Sequence, residues 1–271
     1  MAPTPLPPRA DGRPSAPPRV AWSSARAGAP AAALRRPDPS GPARPTFLLI
    51  HGVGLSHLAF SRLARALVDH GTVLAPDLPG FGRAPGARRR VSVEEMAEAL
   101  LPALDRGGIR PRSLVVLGHS LGAQVAIEVA RLRPDLVRGV VLIGPVVDTH
   151  AASAVGQARR LLLDMVLEPP VTGAMVARDY VRGGLLSFAA GVRSMLRYPT
   201  AERLPAVTAP LLVLRGSGDP VAPARWDAEL ARLVADGRTV EVAGAAHNVP
   251  HSHPTEVARH VLAFAASLVD D

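Results

Sequence analysis

The chain contains no cysteine and no lysine, and nowhere in its 271 residues is there an apolar run of membrane-spanning length. Without cysteine it has no disulfides and no thiol chemistry to offer. Without a run of about 18 apolar residues it has no candidate transmembrane helix. Its first residues are rich in Pro and Arg and lack the continuous apolar core of a signal peptide, so a cytoplasmic protein with no membrane partner is expected. The missing lysine leaves arginine to carry all 31 basic charges against 23 acidic ones, a net charge of +8. Abundant Ala, Arg, Pro and Gly point to a GC-rich coding bias rather than to a polyanionic partner. The location of the charge agrees: residues 1–45 hold seven Arg against Asp11 and Asp38, a net of +5, which leaves +3 for the remaining 226 residues. No nucleic-acid partner is expected.

With 48% of its residues hydrophobic, the chain can bury one sizeable core, and a single α/β domain with an insertion suits its length. Residues 1–18, with seven Pro, have too little apolar content to repay ordering and read as a disordered tail. Weak strand candidates follow at Val20–Ser24 and Ala31–Leu34, with a turn available at Gly28–Pro30. From Thr46 the pattern sharpens. Buried-strand runs at Phe47–Ile50, Thr72–Ala75, Leu114–Leu117, Gly139–Ile143, Leu211–Leu214 and Val240–Ala243 alternate with helical patterns. Those patterns fall at Ser56–His70, Ser92–Arg106 with a Ser-x-x-Glu capping box, the stretch after Ser120, Pro223–Val234 and Pro254–Leu268. Such alternation is the signature of βαβ units and a mainly parallel sheet. It breaks at 149–204, where only helical patterns occur (Ala158–Leu167, Gly173–Val181, Leu185–Leu196), punctuated by Pro169-Pro170 and Gly183-Gly184. An α/β core at 19–148 and 205–271 with an inserted helical cap is therefore expected. Arg88–Arg90 reads as a solvated face.

The organising stretch is Leu114 to Gly122, Leu-Val-Val-Leu-Gly-His-Ser-Leu-Gly. A strand that turns at once into a helix forces Ser120 into a strained conformation and brings neighbouring backbone close, so the residues two before and two after must be small. Gly118 and Gly122 meet that need. Parallel α/β sheets gather functional loops at the carboxyl ends of their strands, here His51-Gly52-Val53, Asp77, Ser120, Asp148, Asp219 and His247. That set contains a nucleophile, a base and an acid to orient the base.

On these motifs, His51-Gly52-Val53-Gly54, Asp77-Leu78-Pro79-Gly80-Phe81-Gly82, Gly118-His119-Ser120-Leu121-Gly122, Gly218-Asp219-Pro220 and Gly244-Ala245-Ala246-His247, the chain resembles the α/β-hydrolase superfamily from about Phe47 onward. The resemblance implies a mostly parallel eight-stranded sheet with helices on both faces, and a cap after the sixth strand. It also implies a triad in the order Ser120 nucleophile, Asp219 acid, His247 base, with the backbone N–H groups of Val53 and Leu121 as oxyanion hole. No metal or organic cofactor is implied. The expected activity is hydrolysis of a small or medium apolar carboxylic ester through an acyl-enzyme. The alternatives are a carbon–carbon bond hydrolase of diketone-like aromatic breakdown products and a weakly catalytic ligand-sensing homologue.

Several residues have rival readings. Asp148 competes with Asp219 for the acid, and His251 and His253 compete with His247 for the base. Those three histidines as His-x3-His-x-His also form a candidate metal set, which Pro250 interrupts. His51 and His119 read as hydrogen-bonded structural residues beside the site. Met165, Met175, Phe188 and Met195 either line an apolar pocket or pack the cap on the sheet. Substrate identity and oligomeric state are left open.

Overall fold

The computed structural model describes residues 32–33, 44–84, 91–149 and 154–268. The 1–18 tail, the strand candidate at Val20–Ser24, the Gly28–Pro30 turn and the Arg88–Arg90 cluster lie outside the described residues.

Seven strands form one sheet: β1 (Ala32–Ala33), β2 (Thr46–Ile50), β3 (Thr72–Ala75), β4 (Leu114–His119), β5 (Val137–Ile143), β6 (Leu211–Gly216) and β7 (Gly237–Val242), in the order β1-β3-β2-β4-β5-β6-β7. Strands β2 to β7 are parallel and β1 runs antiparallel to β3. The expected eight strands are thus seven among the described residues. At the amino-terminal edge, Ala32 and Ala33 of the strand candidate at Ala31–Leu34 pair with β3. The cap-like insertion accordingly follows the fifth strand here, not the sixth.

The central strands are apolar on both faces because helices cover both. Leu48, Ile50, Leu114 and Val116 point into one core layer, and Phe47, Leu49, Val115 and Leu117 into the other. The second layer is closed by α1 (Ser61–Leu67) and, near the C-terminus, α10 (Pro254–Ser267); the first is closed by α2 (Val93–Arg106), α3 (Leu121–Leu132) and α8 (Ala224–Arg232). Each fully buried Leu or Val in these layers contributes about 1.5–3 kcal/mol relative to exposure. The capping box of α2 forms as its sequence announces: the Glu95 N–H donates to Ser92 Oγ at 3.2 Å, and the Ser92 N–H to Glu95 Oε2 at 2.9 Å. The helix expected over Ser56–His70 is shorter. A 3₁₀ turn at His57–Phe60 precedes α1, because Ser56 caps that turn and its hydroxyl is drawn outward to Asp179, 2.6 Å away.

Between β5 and β6 lie α4 (Ala154–Leu167), α5 (Pro170–Gly183), α6 (Leu185–Arg197) and the single turn α7 (Thr200–Arg203). Buried polar contacts tie this insertion to α3. Gln124 Nε2 donates to the carbonyls of Val146 and Met195 and to Thr200 Oγ1 at 3.0–3.1 Å, and the Tyr198 hydroxyl donates to Glu128 at 2.7 Å. After β7 comes the short α9 (Val249–Ser252), then α10.

The chain reverses its direction of travel across the sheet between β2 and β4, so their carboxyl ends meet. That meeting leaves no room for side chains. A Cβ on Gly118 would lie 2.1 Å from the Gly122 carbonyl oxygen, and one on Gly122 would lie 2.1 Å from the Ile50 carbonyl oxygen. We expect Gly118→Ala to destabilise the fold by about 3 kcal/mol, the upper range for forcing a methyl into a packed interior, because its obstacle is backbone rather than a movable side chain. Urea unfolding followed by circular dichroism measures this, and an unchanged midpoint would refute the steric account.

Candidate active site

Ser120 sits between β4 and α3 with φ +56° and ψ −119°, and is one of two non-glycine residues with positive φ among the described residues. A non-glycine residue there costs of order 1–3 kcal/mol and persists only where the surroundings enforce it. Gly118, Gly122 and the Ser120 N–H, which donates to the Ile143 carbonyl at 2.9 Å, supply that enforcement. Leu121 opens α3, where helix geometry leaves the first N–H groups without internal acceptors. The His51–Gly54 loop passes so close that a Cβ on Gly52 would lie 3.1 Å from Ser120 Cβ. Ser120, Val53 and Leu121 therefore share one edge of the sheet, and all three are buried.

His51 is wholly buried and spends both ring nitrogens on this loop. Nδ1 is bonded to the Gly52 carbonyl at 2.9 Å and Nε2 accepts the Leu78 N–H at 2.9 Å. Only the tautomer with its proton on Nδ1 satisfies both. Burial pushes its pKa down. His119 is likewise structural: its Nε2 donates to the His247 carbonyl at 3.0 Å, and burial with the neighbouring His247 lowers its pKa to about 3. Asp77 braces the opposite side of the edge. It accepts from the His57 N–H, the His57 ring and the Arg83 N–H at 2.8–2.9 Å, and these donors outweigh burial to hold its pKa at about 2.

The two candidate acids have different partners. Asp219 Oδ2 lies 2.8 Å from His247 Nδ1, while its Oδ1 accepts the N–H groups of Val221 and Ala222 at 2.7 and 3.1 Å. Burial alone would raise its pKa, but the His247 charge and these donors bring it below the ordinary value. Asp148, also fully buried, instead accepts from Arg160 at 3.0 Å and from Arg225 at 2.5–2.9 Å. His251 Nδ1 is bonded to Thr172 Oγ1 and His253 Nδ1 to Ser252 Oγ, both at 3.0 Å, so the three candidate imidazoles are turned to three different partners. Among the described residues, no three His, Asp or Glu side chains are grouped to hold a metal. Met175 packs with Leu55 and Ala59, and Met195 lies in the core layer under α3, which favours the packing reading for both. The side chain of Met165 lies outside the described residues. Tyr180 and Phe188, rings 4.9 Å apart, close over Gly54.

Three residues the sequence reading overlooked complete the site. Arg215, at the end of β6, is buried and holds the Asp219 loop from beneath by donating to the carbonyls of Ser217, Asp219 and Ala222 at 2.8–3.2 Å. Asp164 on α4 and Glu168, one turn further and just past the end of that helix, are buried against the His247 turn. Asp164 Oδ1 accepts the His247 N–H at 2.8 Å and Glu168 Oε1 accepts the Asn248 N–H at 2.6 Å. Burial raises the pKa of both. The i, i+4 spacing of two acids was the available signal. His247 itself is 3% exposed, and its Nε2 has no hydrogen-bond partner. Burial would depress its pKa, but Asp219, followed by Asp164 and Glu168, raises it to about 9.

A cation favoured by adjacent carboxylates stays protonated as pH rises until its folded pKa is reached. We therefore expect the His247 ring resonances in an NMR titration to move near pH 9 rather than near 6.5. In Glu168→Gln, which keeps an oxygen for the Asn248 N–H but removes the charge, the midpoint should fall; an unmoved midpoint would dismiss the contribution of α4.

Comparison with known proteins identifies the family. The model of the alpha/beta hydrolase family matches residues 47–260. The chain is 39% identical over 137 residues to lipase LipV of Mycobacterium tuberculosis, a match covering 51% of this chain and 48% of that one, so it spans about half the length of that relative. It is 28% identical over 247 residues to the magnesium-chelatase 30 kDa subunit of Rhodobacter capsulatus, covering 75% and 84% of the two chains. Among solved structures, a thermophilic esterase from Thermogutta terrifontis superposes with a TM-score of 0.71 at 22% identity, covering 83% of this chain and 90% of that one. Among the described residues no helix is long and apolar enough to cross a membrane. The chain belongs to the alpha/beta hydrolase family.

Proposed function

We propose that this hydrolase is a serine esterase that acts through an acyl-enzyme on Ser120. The observation that carries the reading is the conjunction of a serine held at φ +56° on a strand-to-helix turn with a buried His247–Asp219 pair 2.8 Å apart at the same sheet edge. Serine is a poor nucleophile at its own pKa, and a neutral imidazole Nε2 removes its proton as Oγ attacks the ester carbonyl carbon. Asp219 keeps the remaining ring proton on Nδ1 and stabilises the imidazolium. The N–H groups of Leu121 and Val53 bind the oxygen on which negative charge develops, and each such donor contributes about 3–4 kcal/mol to lowering the barrier. The imidazolium then gives its proton to the leaving alkoxide. Water, deprotonated in turn by His247, releases the acid and restores Ser120.

The lipase match supports an ester as the bond cleaved. The apolar character of Val53 and Leu121 beside Ser120, and of Tyr180 and Phe188 against Gly54, supports a small or medium apolar acyl group. The helices between β5 and β6 act as the cap in this reading, because Tyr180 and Phe188 reach the loop beside Ser120 from above.

A fluorophosphonate probe should label the wild type on Ser120 and leave Ser120→Ala unlabelled, with short-chain nitrophenyl ester turnover lost in the variant. Stability should be nearly unchanged, since both residues bear the same backbone strain. A folded wild type that does not label would exclude the serine mechanism and favour a ligand-sensing role. Asp219→Asn should lower kcat by about 10⁴, because the ring proton loses the acceptor that fixes its position. Only neutral His247 can act as base, so kcat/KM should climb with pH through about 9. An acid limb at the ordinary histidine value would contradict the electrostatics described above.

A further inference from the structure

The outward face of the insertion carries a surface chemistry found nowhere else on the described molecule. Of the nine large hydrophobic side chains that are exposed among the described residues, seven fall between Leu163 and Leu186 on α4, α5 and α6. Several project almost completely: Val166 is 81% exposed, Val181 83%, Leu185 80% and Leu186 87%.

Helix α5 shows how the face is built. Thr172, Met175, Val176 and Asp179 recur at helical spacing and are buried. Two polar contacts pin that inner side to the core, Thr172 to His251 at 3.0 Å and Asp179 to Ser56 at 2.6 Å, so the orientation of the helix is fixed. The opposite side reads Val171, Ala174, Arg178, Val181 and Arg182, all exposed. An ordinary solvated face mixes charges of both signs with neutral polar groups. This one is aliphatic and cationic.

The rest of the insertion keeps the same rule. Between residues 154 and 197 the three acids, Asp164, Glu168 and Asp179, are all buried, whereas Arg159, Arg178, Arg182, Arg193 and Arg197 are exposed. Arg178 shares Asp179 at 2.8 Å and remains 43% exposed.

We propose that this face docks on an anionic lipid surface, with the aliphatic tips of α4 to α6 entering the headgroup layer and the arginines meeting lipid phosphates. Surface-lying helices bind through buried apolar area together with attraction of Lys or Arg to anionic lipids, and both components are present here. The chain's own N-terminal segment, with a net charge of +5 over residues 1–45, is repelled by a cationic face. A second copy would set arginines against arginines. A protein partner of ordinary interface chemistry needs about ten directed hydrogen bonds, and the exposed side of α5 offers none but those of Arg178 and Arg182. The sequence expectation of no membrane partner rested on the absence of a spanning segment, which has no bearing on association with a surface.

The test is co-sedimentation of the full chain with phosphatidylcholine vesicles made with and without phosphatidylglycerol, at low and high salt. Two variants on different helices are compared with the wild type: Leu185→Ser/Leu186→Ser on α6 and Val181→Ser/Arg182→Ser on α5. All four positions are exposed, so circular dichroism and nitrophenyl ester turnover in free solution should match the wild type. The expected result is binding to the phosphatidylglycerol vesicles that weakens at high salt and falls at least tenfold in each variant. Absence of vesicle binding, or equal binding to neutral vesicles, overturns the proposal. Undiminished binding in both variants overturns it and assigns the attraction to arginines elsewhere. A dimer in sedimentation velocity that both variants dissolve, without vesicle binding, overturns it in favour of a second copy. None of these readings depends on Ser120, so failure of the serine mechanism and failure of lipid docking are told apart.

Discussion

The site rests on a crossing of backbones that leaves no space for side chains. Gly118 abuts the Gly122 carbonyl, and Gly122 in turn abuts the carbonyl of Ile50 at the end of β2. These segments cannot spread, because β2 and β4 are central strands with apolar layers packed on both faces. The strain at Ser120 is therefore held by the largest cohesive term in the molecule, the burial of the sheet. The same crossing sets the His51–Gly54 loop against Ser120. His51, bonded at both ring nitrogens, then fixes that loop to the Leu78 turn. The polar geometry at the edge is a consequence of hydrophobic packing beneath it.

Charge is arranged on that frame in an uneven way. Four carboxylates, those of Asp219, Asp164, Glu168 and Asp77, are buried along one edge, a disposition that would be ruinous without donors. Two of them are stabilised by backbone N–H groups and an imidazole, Asp77 by His57 and Arg83 and Asp219 by Val221, Ala222 and His247, while Asp164 accepts from the His247 backbone N–H and the Asn248 side-chain amide. Asp227, beneath the Asp219 loop, shows the other solution. Its carboxylate oxygens have no hydrogen-bond partner, and burial beside Asp219 pushes its pKa to about 8, so at neutral pH it is mostly uncharged. Because Asp164 and Glu168 belong to the insertion, the insertion is electrically part of the His247 environment as well as a cover for it. Removing either acid alters the histidine's proton affinity without touching the sheet.

The sheet and most of its helices were legible in the sequence because their signals are local: apolar runs buried on both faces, a Ser-x-x-Glu cap, and glycines where backbones meet. Of the strand candidate at Ala31–Leu34, Ala32 and Ala33 pair with β3, whereas the count of eight came from the resemblance and seven strands are seen among the described residues. At the site, the resemblance named Asp219 on its Gly-Asp-Pro motif and left Asp148 as a rival; Asp219 is the one that lies 2.8 Å from His247. The partners of Asp148 could not be read, because Arg160 comes from α4 in the insertion and Arg225 from α8, beyond β6. Arg215 was not singled out from the sequence. Its role depends on three carbonyls converging from one side, which residue spacing does not display.

Helix α4 was the hardest part to read because its apolar stripe faces outward. On α4 the sequence offers Leu163, Val166 and Leu167 at i, i+3 and i+4, a stripe that periodicity alone assigns to the core. The structure turns that stripe outward and places Asp164 of that helix, and Glu168 just past its end, inside. Ordinary solvation would drive such a helix to rotate by half a turn. It is held by the directed bonds from the N–H groups of His247 and Asn248, which an apolar stripe could not accept. A helix that buries its charges at a reactive centre must leave its apolar residues elsewhere, and here it leaves them to solvent. The polar interior of the insertion and its apolar exterior are thus one fact of sequence seen from two sides, and a partner for the exterior is what makes the arrangement favourable as a whole.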